Sequence, residues 1–134
     1  MRISVFGQRT INDEMLIKQK FDEVIAEHDI RECLTYVYGG AKGAQDIVYN
    51  YVKDDMDTIL FRPWTMVSKK LASQAMEGDK FNPVYFFFRN IQIIDNSDLV
   101  IVFDNGEQDA EVYKVKNLLS KRDPKKDKWV EIKI

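Results

Sequence analysis

The sequence predicts a single α/β domain built on a doubly wound, mostly parallel five-stranded sheet, and three observations predict it. Short β-branched and aromatic runs alternate with stretches of helical periodicity along all 134 residues. One run, Leu99 to Phe103, is continuously apolar, as strands buried on both faces of a parallel sheet are. A glycine-rich connection, Tyr36 to Asp46 (YVYGGAKGAQD), joins a strand-like run directly to a helical one.

Arg2 to Phe6 reads as the first strand and ends at Gly7. Asn12 to Glu27 carries Met15, Leu16, Phe21, Val24 and Ile25 at helical spacing, and Cys33 to Tyr38 reads as the second strand. Ala44 to Lys53 is a helix with Ile47, Val48 and Tyr51 on one face, and Thr58 to Phe61 is a short third strand stopped by Pro63. Pro83 suits the first turn of a helix that carries Val84, Phe87, Phe88, Ile91 and Ile94. After the apolar strand at Leu99 come a helix over Ala110 to Ser120, a charged loop over Lys121 to Lys128 and an alternating edge strand over Trp129 to Ile134. No internal repeat or low-complexity linker interrupts the pattern, so residues 1–134 read as one domain.

Composition narrows the function classes. Twenty basic and twenty-two acidic side chains leave a net charge of −2, which argues against non-specific nucleic-acid binding. Cys33, the single cysteine, excludes an intramolecular disulfide and a cysteine zinc cluster, and its place at the start of an apolar run suits a buried thiol in a reducing compartment. Met1 leads straight into a strand-like run, and no apolar stretch approaches bilayer length, so the expected location is cytoplasmic, with no membrane partner.

In an open α/β sheet, ligands sit beyond the carboxyl ends of the strands, where glycines admit a close approach and helix N-termini attract anions. Gly39, Gly40 and Gly43 supply the glycines here and Lys42 the charge, in a pattern that is neither GxGxxG nor the Walker sequence. Three more clusters fall at strand ends: Gly7-Gln8-Arg9-Thr10, Arg62-Pro63-Trp64 and Asp104-Asn105-Gly106-Glu107. Arg9 offers a rigid donor fork for a phosphate or carboxylate, and Trp64 offers either a stacking surface or a packing cap. Asp46, inside the helix start, is placed to tie down the turn's backbone donors or to meet a ligand. Arg89 and Asn90 end an aromatic run, and three placements are open to Arg89: reaching into the crevice, pairing at the surface, or buried as a structural arginine. His28, the only histidine, has no nucleophile partner in any recognisable motif, and no metal is required by the sequence.

The order of these features, Gly7-x-Arg9, GGAKGAQD at Gly39 to Asp46, Pro63-Trp64, Arg89-Asn90 and FDNGE at Phe103 to Glu107, resembles the SLOG superfamily, and its YspA-like branch most closely, over nearly the whole chain. Lys42 stands where arginine is usual, and Gln45 is a variant without expected consequence. The resemblance implies a Rossmann-like fold that binds nucleotides or nucleotide-derived signals in defence or stress settings, with Gly7, Arg9, Gly39, Gly40, Lys42, Gly43, Asp46, Trp64, Arg89, Asn90, Asn105, Gly106 and Glu107 at the ligand. The chain departs from the pattern after its last core strand, where Gly106-Glu107-Gln108-Asp109 replaces the family's second glycine turn, and it lacks the PGGxGTxxE signature of the related LOG phosphoribohydrolases. Residues 67–82 are also longer than the usual link, as a lid or a partner surface would be.

Binding of a nucleotide-type ligand is therefore the leading expectation, with sequestration, such as a phage protein set against nucleotide-signalled immunity, as one use for it. A glycosidic hydrolase of LOG type, with Glu107 or Glu111 as acid or base, is the alternative, and a DNA-associated protein resembling the DprA/Smf domain is the second alternative. The oligomeric state is open, a homo-oligomer included.

Overall fold

The computed structural model describes residues 1–28, 34–61 and 84–134. Five strands, β1 (Arg2–Phe6), β2 (Thr35–Tyr38), β3 (Asp57–Leu60), β4 (Leu99–Asp104) and β5 (Trp129–Lys133), form one sheet in the order β3-β2-β1-β4-β5, with every pairing parallel. The helices are α1 (Glu14–Glu27), α2 (Ala44–Val52), α3 (Val84–Asp95) and α4 (Ala110–Arg122). Strands and helices alternate as the hydrophobic periodicity requires, and the fold is the doubly wound Rossmann-like arrangement expected.

Side chains alternate across each strand, so each central strand feeds two cores. On one face Ile3, Val5, Tyr36, Leu99, Ile101 and Phe103 meet Ile17, Phe21 and Val24 of α1 and Ala44, Val48 and Val52 of α2. On the other, Phe6, Val37, Val100, Val102 and Trp129 meet Ile93 and Ile94 of α3 and Val112, Val115 and Leu119 of α4. β4 is buried on both faces over Leu99 to Phe103, which is why its sequence shows no polar alternation. At the edge, β5 sends Val130 and Ile132 towards the first core and Trp129 into the second, the alternation its sequence predicts.

Element ends differ from the sequence reading where capping chemistry decides them. α1 begins at Glu14 rather than Asn12, because the Asp13 carboxylate accepts the Leu16 backbone N–H at 3.2 Å and caps the helix. Asp109 does the same for α4, accepting from Glu111 and Val112, and the helix continues two residues past Ser120 to Arg122, an ion-pair partner of Asp95 on α3. α2 ends at Val52 with Lys53 as its cap, β3 runs over 57–60 rather than 58–61, and β4 takes in Asp104. Cys33, Arg62, Pro63, Trp64, Pro83 and the 67–82 segment lie outside the described residues. Among the described residues no helix is long and apolar enough to cross a membrane.

Candidate functional site

The sheet order sets where a crevice opens. The chain leaves β1 towards α1 on one face and leaves the adjacent β4 towards α4 on the other, so the two loops diverge at the carboxyl ends. Gln8 ties these loops together. It is 2% exposed, its amide donates to the Asp104 carboxylate at 2.6 Å and the Glu107 carbonyl at 3.3 Å, and its carbonyl oxygen accepts the Asn105 N–H at 3.0 Å. Thr10 adds a second link by donating its hydroxyl to Glu107 at 2.5 Å and accepting from the Asn105 amide at 3.2 Å.

Asp104 anchors the outer side of this rim. The Lys116 ammonium, 2.9 Å away, is the largest influence holding its carboxyl at a pKa of about 2, helped by the Gly106 N–H and the Gln8 amide. Lys116 also bonds Glu131 of β5 at 2.9 Å, and its two carboxylate partners raise its own pKa.

The glycine turn after β2 divides into an inner and an outer half. The buried Gln45 carbonyl oxygen accepts the N–H groups of Gly39 at 2.9 Å and Ala41 at 3.0 Å, and its amide donates to the Val5 carbonyl at 3.0 Å. A side-chain oxygen thus fills the position in which a turn of this kind would hold an anion. Gln45, expected to be without consequence, holds the turn, whereas Asp46, placed by the sequence either to tie down its donors or to meet a ligand, is exposed. The signal for Gln45 was present in the sequence: Ala44, Gln45, Val48 and Val52 form one buried helical stripe, and a glutamine on such a stripe needs partners. The outer half stays open. Gly40 and Lys42 are exposed, and no side chain caps the N-terminus of α2. Gly40 has φ +78°, and a Cβ placed on it would meet nothing closer than Leu60 at 4.0 Å.

Other glycines are explained by packing. A Cβ on Gly39 would sit 2.5 Å from Cδ of Arg89, one on Gly7 would sit 3.0 Å from Cβ of Ala44, and one on Gly43 would strike the Gln8 carbonyl. The space between Gly7, Ala41, Gln45 and Glu111 leaves no room for a water molecule, so Gly7 lies beneath the crevice rather than facing into it.

Arg89 is the deepest charged group of the site. It is 2% exposed and donates to Glu111 at 2.8 Å, to the Gly39 carbonyl at 3.3 Å and, through two nitrogens, to the Asn90 side chain at 3.2 Å. Asn90 donates in turn to the same Glu111 oxygen at 3.0 Å. Burial lowers the Arg89 pKa, and the charge of Glu111 opposes that shift. Of the three placements open to this arginine, the structure has the buried one, and Asn90 is its partner rather than a second open donor. Glu111, which the sequence offers only as an alternative acid or base, joins α4 to Arg89 and Asn90 of α3, and Arg89 in turn bonds the glycine turn.

Arg9, the second arginine paired with Glu111, faces outward. Its side chain is 55% exposed, 3.6 Å from Glu111 and over the Phe86 ring at 5.5 Å. It opens onto a groove of about 300 Å³ lined by Phe86, Phe87, Asn90, Glu111 and Lys114. A larger groove of about 670 Å³ runs along α4 on the far side of the 105–109 loop, with Asp104, Gly106 and Glu107 on its wall. The rim therefore brings together Arg9, Gly40, Lys42, Gly43, Asn105, Gly106 and Glu107, puts Arg89, Asn90, Gly39 and Gly7 beneath them, and leaves Asp46 on the exposed face of α2. No group of three metal-ligating side chains is positioned for an ion among the described residues. Comparison with known proteins finds no matching protein-family model and no matching curated protein.

Asp104 has a folded-state pKa of about 2 against an ordinary 3.8, so its contribution to stability is present above the ordinary value and lost as pH falls through the lower one. Asp104→Asn therefore flattens the acid limb of stability, followed by urea unfolding from about pH 5 downwards, and an acid limb identical to that of the parent contradicts the ion pair. Arg89→Ala strips Glu111 of its buried partner and is expected to cost about 3–5 kcal/mol in denaturant unfolding. A loss below about 1 kcal/mol is the result for a surface pair and contradicts the buried placement.

Proposed function

We propose that this chain is a SLOG-type binding module that holds a nucleotide or nucleotide-derived signal in the cytoplasm, with the ligand's phosphates on the outer half of the glycine turn. The observation that carries this reading is the uncapped α2 N-terminus, next to the β1/β4 switch point, with exposed Lys42 in its own turn and exposed Arg9 in the loop packed against Gly43. Gly43 lies against the Gln8-Arg9 backbone, which keeps the two cation-bearing segments adjacent. Helix N-terminal N–H groups with nearby positive charge favour phosphate.

Binding without turnover is the reading adopted, because the carboxylates available for hydrolysis are committed elsewhere. Glu107 holds Thr10, and Glu111 balances Arg89. Neither stands as a spare acid or base.

A thermal-shift screen of mono- and dinucleotides, NAD and ADP-ribose tests the reading. A ligand at a hundredfold its Kd adds about 2.7 kcal/mol to the folded state, so Tm rises for the ligand class bound. In the Arg9→Ala/Lys42→Ala double variant that rise disappears while the unliganded protein changes by no more than about 1 kcal/mol, since both side chains are exposed. A flat screen, or a rise that survives the double variant, contradicts the proposed site.

A further inference from the structure

We infer that the groove of about 670 Å³ between the 105–109 loop and the outer face of α4 receives the nucleoside end of the ligand, its ribose hydroxyls and amino-bearing base. The inference rests on the nucleotide reading above and adds the second half of its site. The volume falls within the range of small-molecule sites and is more than twice that of the Arg9 groove, about 300 Å³.

The lining is rich in acceptors and closed to anions. Asp104, Glu107 and Asp109 bring three carboxylates to it, and its one cation, Lys116, is held 2.9 Å from both Asp104 and Glu131. The backbone donors that begin α4, which would otherwise attract a phosphate, are taken by the Asp109 side chain. A phosphate is therefore disfavoured here and favoured at α2, whose N-terminus has no such cap. Hydroxyl and amino donors suit the carboxylates, each of which has lone pairs beyond those in use. Tyr113, 68% exposed on the groove wall, offers a flat ring for a base, and exposed Ala110 adds apolar lining. One residue is common to both ends: the Gln8 side chain lines this groove while its carbonyl lies against Gly43 of the phosphate turn.

Calorimetric titration of the full chain separates the two ends. The probes are adenosine, guanosine, cytidine and uridine for the groove and inorganic pyrophosphate for the turn. Asn117→Trp and Ser120→Trp, at two exposed groove positions on α4, fill the space without touching the core, and circular dichroism checks their folding. At least one nucleoside is expected to bind the parent and to bind both tryptophan variants at least about tenfold more weakly, with its affinity for Arg9→Ala/Lys42→Ala unchanged. Pyrophosphate shows the reverse pattern. Absence of nucleoside binding to the parent, or equal binding to the tryptophan variants, overturns the groove assignment even where pyrophosphate binds. Failure of pyrophosphate alone, with the nucleoside pattern intact, counts instead against the phosphate end.

Discussion

The rim of this domain depends on one buried charge. The Arg89 guanidinium lies under the glycine turn, and it is kept there by Glu111 on one side and the Gly39 carbonyl on another. Removing an arginine from water costs several kcal/mol unless its donors are matched, so each partner is constrained. Gly39 has to be glycine because a Cβ there would overlap the arginine's own methylene chain. Glu111 has to sit in the first turn of α4, and the Asp109 cap fixes where that turn begins. The position of the α4 N-terminus, the path of the turn after β2 and the orientation of α3 are thus set by one set of hydrogen bonds.

That constraint separates structural from ligand-facing residues more sharply than residue type does. A glycine-rich segment invites the reading that every glycine clears space for a phosphate. Here Gly7, Gly39 and Gly43 clear space for Ala44, Arg89 and the Gln8 carbonyl, whereas Gly40 and Gly106, which share a positive φ with Gly43, have open surroundings. The anion-like oxygen in the inner half of the turn comes from the protein itself, through Gln45. A fixed amide there preorganises the outer half at no cost to the ligand.

The fold was legible because its signals are local. Strand-helix alternation, the apolar run at Leu99 to Phe103 and the turn before α2 follow from periodicity and backbone chemistry over a few residues. Element ends were less legible, since Asp13 and Asp109 compete with their neighbours as caps and only geometry decides. That the loops after β1, β2 and β4 share one end of the sheet was legible from the α/β architecture alone, while the Arg62-Pro63-Trp64 loop lies outside the described residues. The roles within the cluster were not, because they depend on contacts between distant residues: Arg89 with Gly39 across 50 positions, Gln8 with Asp104 across 96. Gln45 was missed too: the sequence reading put Ile47, Val48 and Tyr51 on the inner face of α2, whereas the buried stripe is Ala44, Gln45, Val48 and Val52 and Tyr51 is exposed.

The central claim is that the outer half of the glycine turn, and not its inner half, is the phosphate-binding surface. Backbone amide chemical shifts of ¹⁵N-labelled protein titrated with pyrophosphate test it most directly. The account predicts saturable shifts at Arg9, Gly40, Lys42 and Gly43, with the Gly39 and Ala41 amides, already bonded to Gln45, moving far less. Perturbation centred on Gly39 and Ala41, or none anywhere on the rim, would contradict it.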